Sequence, residues 1–489
     1  MDLIQRIDRW SVLTPERSAH ISAGQILTYR ELTLRSDALA RSLYRTLPHD
    51  HSPVAVLGHK EAEMIVAFLG VIKSGHPYIP LDSSLPPKRV EQVMQIGQAS
   101  LLLTPVAIRE LLEEGSPNAS LIELPHPAAE QAWYIIFTSG STGDPKGVVI
   151  TRSCLESFVV WISTEQEFAL GKEVFLNQAP FSFDLSVMDL YSSLVSGGTL
   201  FSLTSDTITE PKALYQALGD SGISVWVSTP SFARLCLAEP SFAQSMVPDV
   251  RKFWFCGETL APEVASGLLQ RFPQAELWNT YGPTETTVAT TSIRIRPETL
   301  AKYDPLPVGR PKPGGQVYIM NNGVPAAPGE RGEIIIAGPN VSPGYIHRPD
   351  LTRAAFFEMD RVRAYHSGDW GHFEDGLLFF DGRMDFQIKL HGYRIEIGDV
   401  EANLQSLTLS QDAVVLPVLK DGQTDHLAAF VILKMRPSGS DFEIMQSMKR
   451  ELGERLPDYM IPRKFIFLAQ FPMTPNGKAD RRKLAELLQ

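Results

Sequence analysis

Cysteine is almost absent. The chain has three in 489 residues, Cys154, Cys236 and Cys256. None sits close to another or at a spacing that holds zinc or builds a disulfide framework, so reduced thiols are expected. Basic charge is also short: 45 Lys and Arg stand against 56 Asp and Glu, a formal net charge of −11. That balance argues against a nucleic-acid partner, which would need a basic face to release counterions. No apolar run reaches the ~20 residues that span a bilayer. The opening Met1-Asp2-Leu3-Ile4-Gln5-Arg6 lacks the basic-then-apolar order of a secretion signal. The expectation is a cytoplasmic chain with no stable membrane insertion. Internal repeats and low-complexity stretches are missing as well.

What is present is ample apolar material, 44% of the residues, in a chain too long for one ordinary core, so at least two domains are expected. Up to about residue 380, short β-branched runs such as Val54-Ala55-Val56-Leu57 and Tyr134-Ile135-Ile136-Phe137 alternate with amphipathic helical stretches, the pattern of α/β layers. Turn signals at Pro311-Lys312-Pro313-Gly314-Gly315 and Asn321-Asn322-Gly323, the second between apolar runs, predict a small antiparallel subdomain near residues 310 to 380. After Asp381-Gly382-Arg383 the composition shifts, and strands with two helices predict a small α+β domain.

The sharpest local signal runs from Tyr134 to Gly147: an apolar strand entering Thr138-Ser139-Gly140-Ser141-Thr142-Gly143-Asp144-Pro145-Lys146-Gly147. Glycines let backbone N–H groups converge on an anion, hydroxyls add donors and Lys146 adds full positive charge. Lys146 is followed by Gly147 rather than Ser or Thr, so this is not a Walker loop. A short match of this kind would read as an ordinary surface turn, but the full string resembles the signature phosphate loop of the adenylate-forming superfamily, which includes acyl-CoA synthetases, luciferases and the adenylation domains of peptide synthetases.

Further motifs follow in that family's order. Asn279-Thr280-Tyr281-Gly282-Pro283-Thr284-Glu285 offers a ring to stack on adenine (Tyr281), a hydroxyl for the α-phosphate (Thr284) and a carboxylate for Mg²⁺ (Glu285). The resemblance implies that Gly257 and Glu258 form the other wall of the adenine slot. In Tyr365-His366-Ser367-Gly368-Asp369 the implied ribose ligand is Asp369, a carboxylate with two acceptor oxygens; the family more often has Arg-Thr where His366-Ser367 stands. Gly382-Arg383-Met384-Asp385 resembles the interdomain hinge and sets the boundary between a large domain, 1–384, and a small mobile C-terminal domain, 385–489. Arg383 would assist at the ribose, Arg394 would reach the outgoing phosphates, and Gly392 would leave room for a pantetheine arm. Met473-Thr474-Pro475-Asn476-Gly477-Lys478 resembles the loop of the catalytic lysine, Lys478, whose ammonium would stabilise charge at the α-phosphorus. The implied cofactors are ATP and Mg²⁺.

The acid to be activated is read from Phe181-Ser182-Phe183-Asp184-Leu185. An enzyme for amino acids must meet an ammonium, and Asp184 among aromatics needs a cationic partner that the ligand supplies; the alternative is that it caps the following helix. Met188, Cys256 and Val288 would complete an apolar pocket for a small amino acid. Cys256 as a nucleophile is disfavoured, since no motif brings it an activating histidine. The strings Asn177-Gln178-Ala179-Pro180, Val225-Trp226-Val227-Ser228 and Phe255-Cys256-Gly257-Glu258 resemble those stand-alone members that load D-alanine onto a phosphopantetheinylated D-alanyl carrier protein for teichoic acid esterification. The preference for the D-enantiomer is implied by that resemblance alone. Arg463, Lys464 and the basic tail are candidates for the carrier's docking face. Three readings remain open beside it: an adenylation enzyme for another small amino acid, an acyl-CoA synthetase, and a catalytically silent nucleotide-binding regulator.

Overall fold

The computed structural model describes residues 1–113, 123–140, 144–385, 387–390, 392–420, 423–473 and 479–488. It is a mixed α/β protein whose contacts group into two compact units. One comprises Met1–Ser83, Gly97–Ile136 and Gly147–Met384; the other comprises Ser84–Ile96, Phe137–Lys146 and Asp385–Gln489.

Within the first unit, Val54–Gly58 pairs in parallel with Tyr78–Asp82 and with Leu101–Leu103. Such near-continuous apolar runs are what a parallel strand buried on both faces requires. They belong to a sheet of six strands among the described residues, which continues through Ala132–Thr138 and Lys146–Thr151 to Gly344–Tyr345. The helix Ala62–Lys73 is apolar on all sides and every one of its residues is buried. Its few charges are paired: Glu63 with Arg35 at 3.1 Å, and Lys73 with Asp8 at 2.8 Å and Asp37 at 2.7 Å. A second sheet of nine described strands has Val174–Asn177, Val225–Ser228, Lys252–Phe255 and Glu276–Tyr281 in its interior. The helix Tyr29–Thr46 begins in a capping box, with Thr28 and Glu31 each satisfying the other's backbone N–H.

The antiparallel subdomain expected near 310 to 380 is present as a third sheet built from Gln316–Asn321, Val324–Pro325, Gly332–Ala337, Phe356–Met359, Val362–Glu374 and Leu377–Arg383. Its first hairpin turns at Asn322 and Gly323, with φ of 50° and 80°. That is the left-handed pair a two-residue hairpin needs.

In the second unit, Ser410–Lys420, Gln423–Leu433 and Lys464–Phe467 form a sheet beside the hairpin Gln387–Leu390 and Tyr393–Glu396. Leu390, Val400, Leu404, Val415, Val431 and Met448 share one apolar core. Three described helices follow residue 385, Ile397–Gln405, Asp441–Gly453 and Arg481–Glu486, one more than expected. The extra helix spans only 6 residues, too few for a periodic apolar face to be read from sequence.

Candidate active site

The expected ribose ligand stands in a tightly tied corner. Asp369 is 5% exposed, its Oδ1 accepting from Arg383 Nη1 at 2.7 Å and its Oδ2 from the Tyr281 hydroxyl at 2.6 Å. Burial pushes the Tyr281 phenol well above its ordinary pKa, and the Asp369 charge pushes the same way, so the phenol stays a donor. Arg383 also donates to the Ser367 carbonyl at 2.8 Å. Gly368 has φ of 67°, and a Cβ there would lie 3.1 Å from Arg383 Nη2, so a side chain would crowd the guanidinium. Ser367 Oγ donates to the Ile334 carbonyl at 2.6 Å and accepts from Asp369 N–H at 3.0 Å. The serine that departs from the family's threonine therefore fixes the turn carrying the carboxylate. His366 instead sits half exposed against Glu333 at 3.0 Å.

Tyr281 ends the strand Glu276–Tyr281, and the short 3-10 turn Thr284–Thr286 follows it. Asn279 donates to the Pro307 carbonyl at 2.9 Å, and Thr280 to that of Phe255 at 2.8 Å. These bonds lock the strand end beside Cys256, Gly257 and Glu258. Glu258 accepts from the Ser231 N–H at 3.0 Å. Thr284 is 7% exposed and Glu285 fully buried, with Glu285 Oε1 accepting from the Tyr345 hydroxyl at 2.8 Å. Among the described residues no group of three or more His, Cys, Asp or Glu forms a metal cage. Mg²⁺ commonly binds one or two carboxylates and takes its remaining ligands from substrate phosphates and water, and a single buried glutamate suits that mode.

The residues expected to meet the amino acid are arranged differently. Met188, Cys256 and Val288 are buried in one apolar cluster with Phe181 and Tyr345, and the Cys256 thiol reaches the Val288 carbonyl at 3.5 Å. Asp184 is half buried at the head of the helix Leu185–Ser196 and makes no side-chain capping hydrogen bond, so no bond supports the capping alternative. Its charge acts on Tyr134, whose phenol burial has already pushed well above its ordinary pKa. The Tyr134 hydroxyl is buried with no hydrogen-bond partner among the described residues.

Under this segment lies a buried polar chain that the sequence reading passed over. Lys60 donates to Asn177 Oδ1 at 2.6 Å and to the Ala179 carbonyl, and its ammonium lies 4.6 Å from the centre of the Phe181 ring. Asn177 Nδ2 donates to Asp189 at 3.1 Å. Ser202 Oγ donates to Asn177 Oδ1 at 2.8 Å and lies 2.9 Å from His20 Nε2. Burial pushes Lys60 down to about 8, against the opposing charges of Asp189 and Asp82. His20 is pushed down to about 3 by burial, and next by the Lys60 charge. The chain pins the Asn177–Phe181 turn that leads to Asp184. The hint in the sequence is a lysine two positions after a buried strand, at Gly58-His59-Lys60. Tyr345, the partner of Glu285, was missed for a similar reason, since 60 positions separate the two.

The second unit holds the described part of the phosphate loop. Thr138 Oγ1 is buried without a partner among the described residues, and a Cβ on Gly140 would collide with the Asp144 carbonyl. Ser139 Oγ donates to the Arg394 carbonyl at 3.1 Å and accepts from Glu396 N–H at 2.9 Å. Lys146 lies 4.0 Å from Glu396. Ser139, Lys146 and the backbone of Arg394 are thus brought together within this unit. Ser141, Thr142, Gly143 and Lys478 lie outside the described residues.

Residues 7–346 match the AMP-binding enzyme family, and residues 399–478 match the AMP-binding enzyme C-terminal domain. The chain is 47% identical over 498 residues to a D-alanine–D-alanyl carrier protein ligase of Bacillus anthracis, covering 99% of each. Among solved structures, an o-succinylbenzoate CoA synthetase from Bacillus subtilis superposes with a TM-score of 0.85 at 22% identity, covering 99% of this chain and 98% of that one. A Vibrio cholerae adenylation domain in complex with glycyl-adenosine-5'-phosphate gives 0.84 at 23% identity, covering 100% and 98%. At those identities the two structural likenesses speak for the fold alone.

Proposed function

The chain belongs to the AMP-binding enzyme family, and from that premise we propose that it activates D-alanine as D-alanyl-AMP, releases pyrophosphate, and passes the D-alanyl group to the phosphopantetheine thiol of a D-alanyl carrier protein. It is an ATP-dependent adenylate-forming ligase. The observation that carries the choice of substrate is the full-length likeness, 47% identity over 99% of the chain, to a ligase named for D-alanine and its carrier. The apolar cluster that holds Met188, Cys256 and Val288 supports it.

In the first half-reaction the D-alanine carboxylate forms an O–P bond at the α-phosphorus, and the bond to the bridging oxygen of pyrophosphate breaks. Asp184 holds the ammonium. Tyr281, with Gly257, Glu258, Asn279 and Thr280, frames the adenine, and Asp369 with Arg383 binds the ribose. Thr284, the loop Thr138–Lys146, Arg394 and Lys478 stabilise negative charge on the phosphates. Mg²⁺, held through Glu285, would neutralise part of the triphosphate charge. In the second half-reaction the carrier thiolate attacks the carbonyl carbon of the mixed anhydride, and AMP leaves. Residues 1–384 and 385–489 act as the two functional domains. The need for ATP and for reduced thiols sets the reaction in the cytoplasm, and the acyl group then serves teichoic acid esterification.

Pyrophosphate exchange with D-alanine, L-alanine and glycine tests the reading. D-alanine is expected to give the highest kcat/KM, ahead of L-alanine by roughly tenfold or more. Preference for glycine or L-alanine would point to an adenylation enzyme for another amino acid. ATP binding without any exchange would point to a silent regulator.

A further inference from the structure

The segment Thr284–Thr291 is buried throughout although five of its residues are threonines. At its centre Thr287 and Val288 have φ of 58° and 68°, the left-handed region, where a β-branched side chain crowds its own backbone. Two consecutive residues of that kind do not stay there unless their surroundings hold them. Asn340, fully buried, grips both sides of the pair. Its Nδ2 donates to the Thr286 carbonyl at 2.7 Å and to Thr290 Oγ1 at 3.0 Å. Its main-chain carbonyl accepts from Thr287 Oγ1 at 2.7 Å. The neighbouring Ser342 N–H donates to the Glu285 carbonyl at 2.9 Å.

We propose that Asn340 is a specificity-setting positioning residue: by clamping the left-handed Thr287–Val288 pair, it fixes the Val288 side chain and carbonyl as the wall that, with Cys256 and Met188, limits the size of the amino acid. The inference rests on the function proposed above. Asn340 acts through Val288 and does not touch substrate. The side-chain chemistry is specific, because both hydrogens of one amide nitrogen are used. The Thr290 hydroxyl hydrogen already points to Thr286 Oγ1 at 3.0 Å, so an aspartate at 340 would set acceptor against acceptor both at Thr290 Oγ1 and at the Thr286 carbonyl. With the two amide bonds at Thr286 and Thr290 lost and only the main-chain bond to Thr287 left, the pair would relax toward negative φ and carry the Val288 wall with it.

The test is pyrophosphate exchange by wild type, Asn340→Asp and Asn340→Ser, with D-alanine and with D-2-aminobutyrate, which is one methylene larger. In Asn340→Asp the kcat/KM ratio of D-alanine to D-2-aminobutyrate should fall by roughly tenfold while KM for ATP stays within about twofold. Asn340→Ser, which keeps a shorter donor, should fall between that variant and wild type, and it decides the matter if Asn340→Asp gives no folded protein. An unchanged ratio in folded variants, or a ratio that moves only in step with KM for ATP, would overturn the inference. Wild type that ignores D-alanine would overturn the underlying reading and the inference with it. Wild type that selects D-alanine alongside variants that select it equally well overturns the inference alone.

Discussion

The corner proposed for the ribose and the wall proposed for the amino acid lie in the same compact unit and are built in opposite ways. At Asp369 the polar atoms are tied by side chains of complementary chemistry, a guanidinium on one oxygen and a phenol on the other. At Cys256, Val288 and Met188 little is polar, and the shape is set by a backbone held in an unfavourable conformation. In the proposed reading the first arrangement would give affinity through charge-assisted hydrogen bonds. The second would give selectivity through shape, which is worth less per contact and depends on groups that never meet the ligand.

The largest effect that would sharpen this contrast is at the polar corner. Asp369→Ala removes a buried acceptor from both Arg383 and Tyr281, and KM for ATP should rise by roughly 100-fold, while the preference among amino acids stays as in wild type. Titrating a nucleotide against the variant and running the substrate panel checks both halves. A change in preference without a change in nucleotide affinity would break the separation of the two regions.

A smaller effect is expected from the polar chain under the Asn177–Phe181 turn. His20 is neutral in the fold, its pKa pushed down to about 3 by burial, and ionises in the unfolded chain near 6.5. The unfolded state therefore binds more protons below pH 6.5, and this contribution to stability, present above that pH, is lost as pH falls toward 3. Between pH 6.5 and 4.5 it should amount to about 2 to 3 kcal/mol. Denaturant melts of wild type and His20→Gln across that range should show a shallower loss in the variant. Equal slopes would remove His20 as the titrating group.

The contrast also explains what the sequence could reveal. Thr138 to Lys146, Tyr281, Glu285 and Asp369 stood out in the sequence because they sit in short strings whose residue types suit a nucleotide, the use proposed for them above. The hairpin at Asn322-Gly323 was legible because two left-handed residues in a row favour those types. Lys60, Tyr345 and Asn340 were not, because each acts on a partner more than 50 positions away. No local pattern announces such a contact. The grouping of 84–96 and 137–146 with 385–489 was hidden for the same reason.

Everything proposed for the amino-acid side turns on Asp184 meeting the substrate ammonium. Asp184→Asn keeps the size of the side chain and removes its charge, so exchange kinetics with D-alanine, measured beside nucleotide binding, isolate that one contact. For this variant kcat/KM for D-alanine should drop by roughly 100-fold or more with nucleotide affinity unchanged. A variant that exchanges with D-alanine at a near wild-type rate, with an unaltered KM for the amino acid, would contradict it.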